Sequence, residues 1–328
     1  MSKEDFYDLT PDDVMNAVEQ AGFLPTGQFT QLNSYENRVF DIRCENSERV
    51  IAKFYRPGRW SKKCILEEHE FLNDLKKEEM PVLAPLLLKN NSTLDSINDI
   101  FFGLWPKSQG RMVDELILSD FKNLGGTLAR FHNVGAQKNA PSRPLFNVEN
   151  YGWNNLEILE NWIAPEVSGR YLEAAADILE FLEARLDKSM ENTPPIRIHG
   201  DCHRGNILKT DHRGEHPSEF YFVDFDDCCM GHPVQDLWML LSDDELTPTG
   251  SEELNALMTG YQEFRDFDET ALKWIPALRG LRIVHYAAWI ARRWEDPSFQ
   301  RLFPQYTDYN YWASETEALE ALKYSLAP

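Results

Sequence analysis

Asp201 and Asn206 stand five positions apart in Ile198-His199-Gly200-Asp201-Cys202-His203-Arg204-Gly205-Asn206-Ile207-Leu208, and Asp224 closes the apolar run Phe220-Tyr221-Phe222-Val223. One carboxylate can accept or orient the proton of an attacking hydroxyl. The amide oxygen of Asn206 and the carboxylate of Asp224 are hard ligands suited to Mg2+, which prefers a few protein oxygens completed by phosphate oxygens. Together they are the set that phosphoryl transfer from ATP requires. Taken singly, each is an ordinary turn residue; their order and strand context carry the reading. Asp226 and Asp227 follow as extra acids, and Asp226 is a further candidate at the metal.

A second set lies upstream. Val50-Ile51-Ala52-Lys53 reads as a strand with a lysine at its end, the arrangement that brings an ammonium to the α- and β-phosphates. An acid on the next helix must hold that lysine, and Glu67, Glu68 and Glu70 are available. Phe71, Leu72 and Leu75 mark the buried stripe of the helix, and Glu68, three residues before Phe71 and seven before Leu75, falls on the inward side. Between the first two strands, Asn33-Ser34-Tyr35-Glu36-Asn37-Arg38 is placed to cover phosphates. It has no glycine, so its candidate contacts are backbone amides and the Ser34 hydroxyl; an ordinary hairpin turn is the competing reading.

The elements that position these groups divide in two. Thr10-Pro11-Asp12-Asp13 is a capped helix start, running to about Gln20 with Gly22 beyond it. Strands are expected over 29–32, 38–44, 49–55, 86–88 and 100–105, with an amphipathic helix over 60–77. After a polar break at 106–110, helical periodicity dominates: about 118–134, 155–188, 233–243, 251–264, 269–295 and 311–325. Pro165 and Pro276 break or kink the two long ones. The exceptions are strands over 195–198, 206–209 and 220–225. The expected architecture is α+β and bilobal, a β-rich lobe at 1–107 and a helical lobe at 108–328, with the active site in the cleft between them.

The chain has 328 residues and a formal charge of −21. Such a surface repels nucleic acid and anionic lipid, and an anionic nucleotide then needs a local basic patch, for which residues 53–63 are the candidate. No apolar run has the length of a membrane span, and residues 1–5 lack the apolar core of a signal peptide. Five cysteines, an odd number in a long chain, argue for reduced thiols. A cytoplasmic location is expected. Cys202 beside Asp201 is either an exposed thiol tuned by oxidation or a buried packing residue. A zinc site drawn from His199, Cys202, His203, Cys228, Cys229 and His232 lacks finger spacing, and no stoichiometric zinc is expected. The aromatic-rich C-terminal part reads as core packing, with a peptide groove as the alternative.

His199-Gly200-Asp201-x-His203-x-x-Asn206, followed by a strand and an Asp, resembles the signature of the aminoglycoside phosphotransferase and choline kinase superfamily, whose fold is that of protein kinases. Leu32 to Phe40, Lys53-Phe54-Tyr55-Arg56-Pro57, Ile65 to His69, Gly200 to His203, Val234 to Leu241 and Ala288 to Trp294 resemble the bacterial stress response kinase A family. That resemblance implies a Mg2+-dependent, ATP-using Ser/Thr protein kinase, cytoplasmic and monomeric, linked to survival of envelope and oxidative stress. It implies Asp201 as catalytic acceptor and Asn206 and Asp224 as metal ligands. Lys53 becomes the phosphate-binding lysine with Glu68 as its partner, Asp236 a brace of the catalytic loop, and 102–107 the hinge that meets adenine. The alternative substrate is a small alcohol of the aminoglycoside, choline or homoserine type; a non-catalytic nucleotide-binding regulator is disfavoured by the intact Lys53, Asp201, Asn206 and Asp224.

Overall fold

A computed structural model describes residues 9–108, 110–113, 115–210, 220–241 and 251–326. Residues 1–5, Gln109 of the expected break and the end of the helix expected to reach 243 lie outside these ranges. In chain order the elements begin with α1 (Pro11–Gln20), β1 (Pro25–Leu32), β2 (Arg38–Cys44), β3 (Arg49–Phe54) and α2 (Lys62–Lys77). They continue with β4 (Asp95–Ile97), β5 (Ile100–Pro106), β6 (Arg111–Met112), α3 (Leu118–Gly135), α4 (Asn154–Leu159) and α5 (Ser168–Asn192). Then come β7 (Ile196–Ile198), β8 (Ile207–Lys209), β9 (Phe220–Phe222), β10 (Cys229–Gly231) and α6 (Val234–Trp238). Four helices close the chain: α7 (Glu252–Gln262), α8 (Ile275–Ala291), α9 (Pro297–Leu302) and α10 (Tyr309–Ser325).

Two compact units result, one of residues 1–114 with 205–226, the other of 115–204 with 227–328. The sequence-based division placed 205–226 in the second lobe. Pairing explains the difference: β8 joins β6 and β9 in a three-stranded antiparallel sheet, and Phe222 donates its N–H to the Pro81 carbonyl.

The first unit is built on an antiparallel sheet in the order β1-β2-β3-β5-β4. Strand alternation assigns its two faces. Phe40, Ile42, Val50, Ala52, Phe54, Phe102 and Leu104 pack with Val14, Ala17 and Val18 of α1. Ile51, Tyr55, Phe101 and Trp105 pack with Ile65 of α2. Helix α1 is capped as its sequence indicates, Thr10 accepting from the Asp13 N–H while the Asp13 carboxylate accepts from that of Thr10. Helix α2 starts two residues later than expected because Ser61 is the N-cap, accepting from the Cys64 N–H. The apolar triplet 86–88 is not a strand. On the side away from β3, β5 pairs with β4, and Asn98 and Asp99 both take positive φ between them, at 49° and 65°, the two-residue hairpin geometry.

In the second unit, α4 and α5 replace the single helix expected over 155–188, with the interruption around Pro165. Pro276 does not kink a helix; it sits in the first turn of α8, where its missing N–H is no loss. The short α9, β6 and β10 have no counterpart in the sequence reading. Trp289, Phe299 and Phe303 meet in edge-on and tilted ring contacts, and Tyr306 meets Trp312 in the same way, which is the packing use of the C-terminal aromatics. Among the described residues no helix is long and apolar enough to cross a membrane.

His232, against Phe267 and Trp274, accepts from the Val234 N–H through Nδ1. Burial first, then His132 and Arg265, pulls its pKa down to about 4. Once unfolded it titrates near the usual ~6.5, so below that pH the unfolded chain takes up a proton the folded chain refuses. Stability therefore falls as pH drops through this window, by about 2 kcal/mol between pH 7 and pH 5 for this group. Urea midpoints should follow that slope, and His232→Phe should flatten it.

Candidate active site

Alternation along β3 puts Ala52 and Phe54 on the α1 face and sends Lys53 to the α2 face. Of the three acids offered by α2, Glu68 is the one turned inward, 1% exposed. Its Oε1 lies 3.4 Å from Lys53 Nζ. The Tyr55 hydroxyl reaches both Glu68 carboxylate oxygens at 3.3 Å and His69 Nε2 at 2.8 Å, and His69 Nδ1 meets Thr93 Oγ1 at 2.8 Å. Glu68 is therefore fixed by a buried polar chain as well as by its charge partner.

The β8–β9 hairpin brings the next two groups together. Ile207 pairs with Phe222, and the Val223 N–H donates to the Asn206 carbonyl, so Asn206 and Asp224 leave the same end of this pair. The expected strand to 225 stops at Phe222 because Asp224 takes φ +59°, a conformation Asp tolerates better than most residues. This turn places Asp224 Oδ1 3.3 Å from Lys53 Nζ while leaving the side chain 52% exposed.

Asp226 is differently disposed. Its side chain is 4% exposed, with Oδ1 3.2 Å from Lys53 Nζ and Oδ2 in contact with Arg59. The sequence offered Asp226 as a metal ligand; in the structure its carboxylate is engaged by two cations of the chain. Burial pulls the Lys53 ammonium towards neutrality, but Asp226, Glu68 and Asp224 outweigh it and hold its pKa well above the usual lysine value.

The glycine-free loop is tied down from within. Ser34 Oγ accepts from the Asn37 N–H at 3.3 Å, and Asn37 Oδ1 accepts from the Arg56 N–H at 3.1 Å. Arg56 also pairs with the Glu36 carboxylate at 3.0 Å, with Arg59 at 3.8 Å from the same oxygen. The basic segment 53–63 is thus mostly committed to Glu36, Glu68, Asp224 and Asp226, leaving Lys62 and Lys63 exposed at the start of α2. The segment 102–107 falls largely within β5, where Phe102 and Leu104 are fully buried.

In the second unit, Asp201 follows β7 on a loop shaped by its neighbours. Asp236, buried at the start of α6, accepts from the N–H groups of His199 and Gly200, each at 2.8 Å. His132 Nε2 adds a contact at 3.1 Å, and its Nδ1 meets the Tyr261 hydroxyl. This is brace geometry: one carboxylate satisfies two successive amides of the turn. Gly200 takes φ +84°, and a Cβ there would lie 2.3 Å from the Asp227 carbonyl oxygen. Gly200→Ala should cost about 2 kcal/mol or more through strain and clash and displace Asp201; a fall in melting temperature with loss of turnover is the expected result, and an unchanged protein contradicts this account of the turn.

Arg282 Nη1 lies 2.8 Å from Asp201 Oδ1 and His203 Nε2 lies 3.4 Å from Oδ2. Burial alone would raise the Asp201 pKa; His203 and Arg282 overcome it and hold the carboxyl far below the usual range. Cys202 is fully buried and its thiol is pushed up by burial, with Asp236 and Asp201 adding to the effect, which is the packing reading of that residue and an unreactive state.

Sequence reasoning placed Tyr55 and Arg59 within the basic segment 53–63 without a role of their own, and missed His69 and Arg282. The last had a signal: a cation in the apolar run of α8 needs an acid close by.

Over residues 28–275 the chain matches the model of the phosphotransferase enzyme family. It is 35% identical over 313 residues to stress response kinase A of Escherichia coli (strain K12), covering 95% of this chain and 92% of that one. To the serine/threonine protein kinase RdoA of Salmonella typhimurium (strain LT2) it is 35% identical over 312 residues, again covering 95% and 92%. Among solved structures, an amicoumacin kinase in complex with AMP-PNP and Ca2+ matches with a TM-score of 0.76 at 20% identity, covering 97% of this chain and 93% of the other. A microcompartment-associated aminopropanol kinase matches with a TM-score of 0.74 at 18% identity, covering 97% and 99%. At such identities these two likenesses bear on the fold alone, which they place among kinase-like phosphotransferases.

Proposed function

Because this chain belongs to the phosphotransferase enzyme family and is an ATP-dependent phosphotransferase, we propose that it is a monomeric cytoplasmic protein kinase of the stress response, passing the γ-phosphoryl group of ATP to a Ser or Thr hydroxyl. The observation that carries phosphoryl transfer is that Glu68 and Asp224 gather within 3.4 Å of the Lys53 ammonium. The protein acceptor is supported by the kinase names of relatives that match across 95% of the chain.

In this reading Lys53 exchanges part of its acidic company for the α- and β-phosphates, with Glu68 keeping its ammonium in place. Ser34 and the amides around it contact phosphate oxygens at the hairpin turn. Asn206 and Asp224 fit Mg2+ by the chemistry of their donors, an amide oxygen and a half-exposed carboxylate leaving the same end of β8–β9. When bound there, the metal neutralises phosphate charge and ties the phosphates to the protein. Asp201 orients the acceptor hydroxyl and receives its proton. Its low basicity suits a loose transition state, in which positioning matters more than base strength.

Labelled ATP with Mg2+, histone and a panel of choline, homoserine and aminoglycoside tests the acceptor. Label on histone, or on the enzyme, as phosphoserine or phosphothreonine is expected. Label on one small alcohol and not on protein replaces this reading with that of an alcohol kinase.

A further inference from the structure

The hold on Asp201 and its turn comes from two helices outside the loop, α6 and α8. Gly200 is held through its carbonyl, which accepts from Gln235 Nε2 at 3.0 Å, and through its N–H, which donates to Asp236. These bonds fix the backbone of the turn. The carboxylate itself is met by Arg282, from the middle of α8, with Nη1 2.8 Å from Oδ1 and 3.7 Å from the Met239 sulfur.

Helix α8 is an apolar scaffold, with Leu278, Leu281, Val284 and Ala288 fully or almost fully buried. Its backbone is therefore set by packing, independently of the loop that carries Asp201. The Arg282 side chain is 38% exposed and that of Asp201 30%, so the pair is half withdrawn from water yet reachable. Among the described residues Asp201 is the acidic partner of Arg282. A planar guanidinium fixes the direction of an N–H···O bond, where an ammonium supplies only a point charge.

We propose that Arg282 is a positioning residue for phosphoryl transfer: from rigid α8 it takes Oδ1 of Asp201 and so sets the plane in which that carboxylate meets the acceptor hydroxyl. The inference rests on the reading of Asp201 as the acceptor-orienting group. Without Arg282 the carboxylate keeps His203 at 3.4 Å from Oδ2 but loses its hold on Oδ1, and a misplacement of about 1 Å costs on the order of 10²-fold in rate.

ADP release in the presence of Mg2+ and histone counts transfer to histone, to the enzyme and to water alike, so it reads turnover whichever acceptor is used. Arg282→Gln should lower kcat about 100-fold, with KM for ATP and the melting temperature near wild type. Arg282→Lys should recover part of the rate, about tenfold below wild type, since the charge returns without the fork. Asp201→Asn/Arg282→Gln should be no slower than Asp201→Asn alone, because both changes remove one unit. Wild-type kcat in Arg282→Gln, or losses that multiply in the double variant, overturns the role of Arg282 while leaving Asp201 in place. If Asp201→Asn itself turns over normally, the reading of Asp201 fails first. A variant with low kcat and a collapsed melting temperature assigns Arg282 to the fold and not to positioning.

Discussion

Asp224→Asn keeps its fold and loses its turnover. The side chain is 52% exposed, so removing its charge strands nothing in the interior, and Lys53 retains Glu68 and Asp226 as partners. Asn also accepts the positive φ of this position. The change in stability should stay within about 0.5 kcal/mol, as for an ordinary surface substitution. Turnover should fall on the order of 10³-fold, the scale on which removing one charge-stabilising group acts. Calorimetry and ADP release from the same preparation report the two quantities. Turnover at the wild-type rate removes Asp224 from the metal site, and a large loss of stability means that its exposed carboxylate supports the fold in a way the geometry does not indicate.

Lys53→Met has the opposite profile, with fold and turnover falling together. Glu68 and Asp226 are 1% and 3% exposed. Breaking a buried ion pair by deleting one member costs about 3–5 kcal/mol, because the remaining charge stays in a low dielectric. Asp226 still has Arg59, so Glu68 is the buried acid whose charge partner is removed, with the Tyr55 hydroxyl still within 3.3 Å of it. The urea midpoint should therefore drop, and Lys53→Met/Glu68→Leu should regain much of the loss while remaining inactive. A single variant as stable as wild type shows that Lys53 does not offset the buried acids. A double variant that transfers phosphate shows that the ammonium is dispensable for chemistry.

These contrasts follow from how each residue was legible. Lys53 and Glu68 could be read locally: a period-two strand fixes which side a residue faces, and a buried stripe fixes which of three acids turns inward. The break around Pro165 and the capped α1 were legible for similar local reasons. The engagement of Asp226 by Lys53 and Arg59, and of Asp201 by Arg282, joins positions more than 80 residues apart in the sequence. No periodicity or spacing encodes such pairings; they arise when the sheet and α8 are already packed. The triplet 86–88 misled because apolar content alone does not make a strand, whereas the left-handed pair Asn98-Asp99 makes a hairpin of the less apolar β4. The grouping of 205–226 with residues 1–114 was not legible because β6 is two residues long, too short to register as a strand, and it is β6 that pairs with β8.

That interruption of one unit by the other has a consequence for synthesis. A ribosome releases the first 114 residues before it has made β8, β9, Asp224 or Asp226. The nascent half holds Lys53 and Glu68, yet it lacks two of the three acids found around that ammonium and two strands of a sheet. It must wait, incomplete, while the helices of α3 to α5 emerge behind it. A gene cut after codon 114 should therefore yield an unstable fragment, and one that a separately made 205–226 peptide steadies in trans.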